Sequence, residues 1–369
     1  MNREPDERHT HDEAIVQKLG VQVGADSSTS SLETSRLVAA RAGDGSEFAR
    51  LIERYRPELQ LHCYRIVGSL EEAEDLVQDT FLRAWSKRQS FGNRSTVRAW
   101  LYGIATNACL DLLRRSKRRL LPPEVAGPAD PAASPLPPLD VPWLEPYPER
   151  LLEAVAASED GPDAALIARE TTELAFLAAI QHLPPRQRAV LILRDVLEWS
   201  AAETAASLAT TTASVNSALQ RAHATLARRL PNRDAGWLAG SATTESEQSL
   251  LGRLMDAFEQ RDSEGVAALL SADARMVMPP TPSWYDGSEA IARFFAEHVF
   301  GPGGPGPVRT VATAANRQPA FGIYHRRPGE SEHEPFALCL LRLERGLIRE
   351  ITLFRLPGAF AKFGLADAI

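Results

Sequence analysis

Ser69-Leu70-Glu71-Glu72-Ala73-Glu74-Asp75-Leu76-Val77-Gln78-Asp79-Thr80-Phe81-Leu82-Arg83-Ala84-Trp85 carries two messages at once. Ser69 followed three residues later by Glu72 is a helix-start signature. Ala73, Leu76, Val77, Thr80, Phe81 and Ala84 then recur at helical spacing, so one stripe of this helix faces a core. The opposite side holds Asp75, Gln78 and Asp79, and Leu82 falls among them, about 180° from Ala73 at 100° per residue. A leucine in an acidic solvent face is either a lone exposed apolar residue, which is common, or the anchor of a protein contact. The acidic surround favours the contact.

A second helix is expected from near Ser95 through Trp100, Leu101, Ile104, Ala105, Ala108, Leu112 and Leu113, ending in Arg114-Arg115-Ser116-Lys117-Arg118-Arg119. Residues 82–119 hold ten Lys/Arg and one acid, Asp111, a local charge of +9 in a chain of formal charge −7. The dipole of a solvated helix end accounts for one or two cations. Ten mark a polyanion partner.

Glu72 through Trp85, continued by Trp100-Leu101-Tyr102-Gly103-Ile104-Ala105-Thr106-Asn107 and Asp111-Leu112-Leu113-Arg114-Arg115, resembles region 2 of bacterial extracytoplasmic-function (ECF) sigma factors. The resemblance implies that the first helix docks on RNA polymerase core enzyme, at the clamp of its largest subunit, through Asp75, Gln78, Asp79 and Leu82. It also implies that the loop and second helix melt and read the promoter minus-10 element. Phe91, Asn93, Arg94 and Asn107 are the expected readers of the melted strand, and Arg114, Arg115, Lys117 and Arg118 the phosphate contacts.

At 369 residues the chain has room for two or three domains, and 44% hydrophobic with 24% charged residues is ordinary for globular protein. No run of apolar residues is long enough to span a membrane, and the polar start lacks a secretory core, so a cytoplasmic protein with no membrane partner is expected. Cys63, Cys109 and Cys339 are far apart in sequence, without disulfide or ligand spacing. Neither metal nor cofactor is expected.

Residues 1–31 read as a disordered extension and 32–119 as a compact all-α domain. Residues 120–161 read as a linker, since Leu120–Pro148 contains ten prolines. Within it, Trp143-Leu144-Glu145-Pro146-Tyr147 is too apolar for a free tether. Trp143, Leu144 and Tyr147 are therefore expected to dock on another domain and fix the arrangement.

Residues 162–230 read as a second all-α domain, opening with a helix over Pro162–Leu183. Ser200-Ala201-Ala202-Glu203 is a second capping box, and a turn at Ala209-Thr210-Thr211 leads into a helix over about Thr212–Arg229, which makes a helix-turn-helix. Thr212, Ser214, Asn216, Ser217, Gln220 and Arg221 lie on the exposed, N-terminal side of that helix, where base edges are read. Leu183-Pro184-Pro185-Arg186-Gln187-Arg188 followed by Trp199-Ser200-Ala201-Ala202-Glu203 resembles region 4 of the same family, which binds the minus-35 element of duplex promoter DNA. Asn216, Ala218 and His223 stand where the family often has Lys or Arg, and Ala209 where it often has Gly.

After a polar connector, residues 231–247, the pattern changes to helices followed by strand-like runs. This predicts an α+β domain over 248–369 with a curved antiparallel sheet. Asp273-Ala274-Arg275-Met276-Val277-Met278-Pro279 and Tyr285-Asp286-Gly287-Ser288-Glu289 resemble the cone-shaped SnoaL/NTF2-like fold, which some sigma factors carry at the C-terminus together with an aromatic-proline linker motif. Asp286, Glu289, His298 and Glu350 are the residues with acid–base chemistry, but no spacing forces them together. Met276, Met278, Trp284, Tyr285 and Phe336 line either an apolar cavity for a small-molecule ligand or an ordinary core. The reading is a non-enzymatic, promoter-specific transcription initiation factor regulated in cis by its last domain. An isomerase or cyclase with an appended DNA-binding region, and a polymerase-independent repressor, stand as the alternatives.

Overall fold

Four helices carry the first domain in the computed structural model: α1 (Gly45–Glu53), α2 (Arg56–Val67), α3 (Leu70–Lys87) and α4 (Val97–Leu113). The structure describes residues 35–36, 38–91, 96–158, 172–229, 245–356 and 358–369. Ser69 caps α3 by accepting the Glu72 N–H, and the buried stripe of α3 includes Ala73, Leu76, Val77, Thr80, Phe81 and Ala84. The Glu145 carboxylate from the linker adds a second acceptor at this helix start, taking the Leu70 N–H at 2.9 Å, while Glu72 pairs with Arg119 at 2.8 Å. Helix α2 is the axle of the domain, buried from Glu58 to Val67. Two of its polar side chains are paired with α4: Glu58 with Arg98 (2.6 Å) and the Tyr102 hydroxyl (2.9 Å), and His62 with Thr106 (2.8 Å). Cys63 and Cys109, distant in sequence, are brought within hydrogen-bonding reach in this core, where burial pushes the Cys109 thiol up.

The linker is shorter than its sequence suggested. Glu149–Ser158 forms helix α5, packed on α2 through the buried Leu152 and Val155. Prolines stop at Pro148, and Leu151, Leu152 and Val155 then follow helical spacing. The second domain consists of α6 (Leu174–Gln181), α7 (Pro185–Leu191) with a π-turn over Ile192–Val196, α8 (Ala201–Ser207) and α9 (Thr212–Arg229). Thr172 and Glu173 are not helical, so the helix expected over Pro162–Leu183 does not run unbroken; its first residues lie outside the described ones. Both bonds of the Ser200/Glu203 capping box are present. The turn between α8 and α9 puts Ala209 at φ 47°, the left-handed region that favours glycine.

The third domain packs α10 (Glu245–Gln260), α11 (Ser263–Leu269) and α12 (Ser288–Phe294) against six strands: β1 (Leu270–Val277), β2 (Trp284–Asp286), β3 (Val308–Ala315), β4 (Gln318–His325), β5 (Glu334–Glu344) and β6 (Leu347–Phe354). The sheet order is β2-β1-β6-β5-β4-β3. It is mixed and not wholly antiparallel, because β1 pairs parallel with β6. Strand β2 was not expected, since three residues before a glycine give too short a pattern to read. The concave side is filled by Phe258, which meets Phe295, Phe300 and Phe321 edge-on. Met276 and Tyr285 belong to this packed core. The third domain is thus an α+β unit with one mixed six-stranded sheet, carried behind two helical domains.

The linker grips both edges of this sheet. At the β2 edge, the Ala129 N–H donates to Trp284 O (2.8 Å), and the Trp284 indole N–H donates to Ala126 O (2.8 Å). At the β3 edge, Pro148 bridges to Ala315 and the Asn316 N–H donates to Tyr147 O (2.9 Å). Sheet edges left unpaired are a liability, and here the chain's own linker covers parts of both.

Candidate functional site

Helix α3 presents its acidic face to solvent. Leu82 is 68% exposed, with Asp75 and Gln78 exposed beside it. Asp79 is held by Arg83 at 2.7 Å, and Arg83 in turn reaches Asp111 at 3.1 Å. Glu74, one position round the helix, receives Lys362 of the third domain at 3.1 Å. The third domain therefore borders this face without covering Leu82.

Helix α4 is different. The Asn107 amide donates to Gly103 O (2.8 Å) and to Ser207 O of α8 (3.2 Å). The close approach depends on Gly103, whose position lies so near α8 that an added Cβ would stand 3.1 Å from Ser207 Oγ. Leu110 is shared with the core of the second domain. Phe91 is buried against Trp100, with Arg41 over its ring, and so is packed inside this arrangement. Asn93 and Arg94 lie outside the described residues.

The basic cluster divides into two. Arg114, Arg115, Lys117 and Arg118 are exposed and Arg119 is not, Arg114 lying with Asp111 at 2.7 Å. Arg118 pairs with Glu124 at 3.0 Å and with His182. Arg119 is drawn inward by Glu72 (2.8 Å) and Glu145 (3.5 Å). His182 sits between Arg118 and Glu124, and burial, then Arg118, brings it down to about 4. On α9, Thr212, Ser214, Asn216, Ser217, Gln220 and Arg221 are all exposed and share one open side of the helix.

Arg188 ties the two helical domains together from inside. Its guanidinium donates to Ile66 O of α2 and to Ile180 O, Leu183 O and both the backbone and side-chain oxygens of Gln181. Burial brings it down to about 9, so it remains charged at neutral pH. In the linker, Leu144 is 1% and Tyr147 0% exposed, whereas Trp143 is half-buried and its indole N–H donates within the linker, to Leu139 O. Leu144 sits so close to Gly68, at φ 76°, that a Cβ there would be 2.8 Å from it. Tyr147 packs at a tilt against Tyr64, with ring centroids 4.5 Å apart. The island thus fills the junction of the first and third domains, where an Asn316-centred set of bonds also reaches Thr172. Sequence reasoning missed Asn316, Glu145 and Arg188. Only the Asn316-Arg317 pair carried a local signal, as a tight turn between two strands.

The four acid–base candidates of the third domain stay apart. Asp286 is exposed 4.0 Å from Arg275, Glu289 is exposed on α12, Glu350 faces Arg342 at 3.5 Å, and His298 donates to Pro131 O of the linker at 3.1 Å. Among the described residues no group of His, Cys, Asp and Glu could hold a metal ion, and no helix is long and apolar enough to cross a membrane.

These surfaces match a known organisation. Sigma-70 region 2 matches residues 51–119, and sigma-70 region 4 matches residues 173–226. Two such regions joined by a linker define the promoter-recognition class of RNA polymerase subunits. Over 333 residues the chain is 42% identical to the ECF RNA polymerase sigma factor SigG of Mycobacterium tuberculosis, covering 89% of this chain and 86% of that one. It is 28% identical over 196 residues to the ECF RNA polymerase sigma factor SigW of Bacillus subtilis, covering 53% of this chain and 95% of that one. The crystal structure of the Mycobacterium tuberculosis extracytoplasmic function sigma factor SigJ shares the fold, with a TM-score of 0.55 at 21% identity over 85% of this chain and 99% of that one. The chain belongs to the ECF RNA polymerase sigma factors.

Proposed function

We propose that this sigma factor directs promoter-specific initiation through the α3, α4 and α9 surfaces, and that its third domain regulates it in cis by holding regions 2 and 4 together. The carrying observation is the hydrogen bond from the Asn107 amide to Ser207 O, which lays α8 of region 4 on the face of α4 expected to read the minus-10 strand. In this closed state Leu82, Asp75, Gln78 and Asp79 remain available to the polymerase clamp, whereas the Asn107 amide, though exposed, is engaged by region 4 instead of melted DNA. Opening frees Asn107, Arg118 and the loop with Asn93 and Arg94, and lets region 4 reach a duplex minus-35 element with Thr212, Ser214, Asn216, Ser217, Gln220 and Arg221. Independently placed domains bind two promoter elements far better when their spacing suits both at once. The work is done where polymerase and chromosome are, in the cytoplasm.

The third domain acts here as a regulator and not as a catalyst; the scatter of Asp286, Glu289, His298 and Glu350 supports this. A small-molecule ligand is the second reading. It is supported by an apolar groove of about 350 Å³ between α10 (Leu251, Met255) and the β3–β4 hairpin (Ala312, Ala314, Pro319), beside the Asn316 turn. Such a ligand would act only by binding the closed and open states unequally.

A reversible crosslink tests the closed-state reading. With Gly103→Cys and Ser207→Cys together, whose Cβ atoms would stand 4.0 Å apart, the oxidised, crosslinked factor should still bind core polymerase but fail to open a promoter. Reductant should restore initiation in the same preparation. Equal initiation from crosslinked and reduced protein would sink the reading.

A further inference from the structure

We propose that Asn316 is the positioning residue that locks the three domains, through a side-chain amide whose donor and acceptor atoms are all engaged by other domains or the linker. This rests on the closed-state reading above and deepens it. Asn316 and Arg317 occupy the β3–β4 turn at φ 54° and 60°, a left-handed pair that asparagine tolerates better than most residues. Asn316 is fully buried. Its Oδ1 accepts the Tyr147 N–H at 2.7 Å, and its backbone N–H returns a bond to Tyr147 O at 2.9 Å. Its Nδ2 donates to Thr172 O, just before α6 of region 4, at 2.6 Å, and to the Tyr64 hydroxyl of region 2 at 3.0 Å. Tyr64 is free to accept because its own proton goes to Glu145 O at 2.7 Å. One primary amide supplies two donors and an acceptor, and this one uses them on region 2, the linker and the entry to region 4.

Its neighbours reinforce two of these connections, to the linker segment and to region 4. Arg317 pairs with Glu149 of α5 at 2.7 Å, and the Leu174 N–H that opens α6 donates to Gln318 Oε1 at 3.2 Å. The turn thus sets where the third domain sits, where the linker runs and where region 4 begins. Asn316 touches neither the α3 face nor α9, so its effect on initiation runs through the arrangement of domains.

The two informative variants separate the lock from mere folding. Asn316→Gly suits the left-handed turn and removes only the side-chain bonds. Asn316→Asp keeps the shape but sets a carboxylate oxygen against Thr172 O and the Tyr64 hydroxyl oxygen, a buried mismatch. In the full-length factor, energy transfer between dyes on region 2 and the third domain reports opening, and promoter initiation with core polymerase reports consequence. Each lost bond should shift the closed-to-open ratio roughly five- to tenfold, with Asp exceeding Gly. If both folded variants keep the wild-type dye separation, Asn316 is not the lock. If Gly stays closed and Asp opens only by unfolding, seen in near-UV circular dichroism, the proposal is likewise overturned. If both open while initiation is unchanged, the lock stands and regulation in cis falls.

Discussion

Helices α3 and α4 lie side by side in one domain, grow from the same core and carry its two expected contact surfaces, yet the chain treats them oppositely. The α3 face keeps Leu82 in solvent, while the α4 face has Asn107 bonded to α8. The difference lies in what each helix offers a neighbour. Around Leu82 the surface is acidic, and the third domain's Lys362 meets its neighbour Glu74 and leaves Leu82 open. Along α4, Gly103 leaves a notch into which α8 settles. A factor built this way can be held inactive toward promoter DNA while its polymerase-facing surface stays open.

The largest effect should come from acid, which attacks the seating of α4 and leaves the α3 face alone. His62 is neutral in the folded state, brought down to about 3 by burial, then by Arg65 and Arg98. An unfolded chain protonates it near 6.5, so protonation favours unfolding. The stabilisation is complete above that pH and is lost as pH falls toward 3, by roughly 3–5 kcal/mol over the full range. Urea unfolding followed from pH 7.5 to 4.5 should show this slope, and His62→Gln should flatten it. A slope that survives in the variant would place the acid sensitivity elsewhere.

Next in size is the other helix. Leu82→Asp should weaken core polymerase binding by about 1–4 kcal/mol, the range for an apolar interface anchor, with helicity and the closed arrangement unchanged. Unaltered affinity in a fluorescence titration would mean that α3 is not the docking face, and the contrast with α4 would lose its meaning. The smallest effect sharpens the comparison from the side of region 4. Ala209 is exposed at a left-handed φ, so Ala209→Gly should relieve strain in the turn behind α8 and stabilise region 4 by about 0.5–1 kcal/mol, read as a small rise in Tm. A fall in Tm would show that the loss of unfolded-chain restriction outweighs the strain.

What could be read from sequence was whatever one helix or one strand decides alone. The stripe of α3, the Ser200/Glu203 cap and strand β6 follow from local periodicity and turn chemistry. The family resemblance added the expected roles of α3, α4 and α9. Tertiary pairing was invisible by the same logic. Nothing near Asn316 in the sequence points to Tyr64 or Thr172, and nothing in the basic cluster separates Arg119, drawn in by Glu72 and Glu145, from exposed Lys117. Helix α5 was hidden by the prolines before it. The parallel pairing of β1 with β6 needs contacts between the two ends of the third domain.

The linker that covers parts of β2 and β3 has a consequence for the cell's handling of the open factor. Drawing residues 126–148 away from the third domain uncovers backbone donors and acceptors at two ends of one sheet, each a template for a strand from another chain. On the closed-state reading proposed above, the open form would be adhesive as well as active. Opening in the absence of polymerase would feed self-association, so the covered edges favour release of the linker only when a partner is present to receive the opened chain.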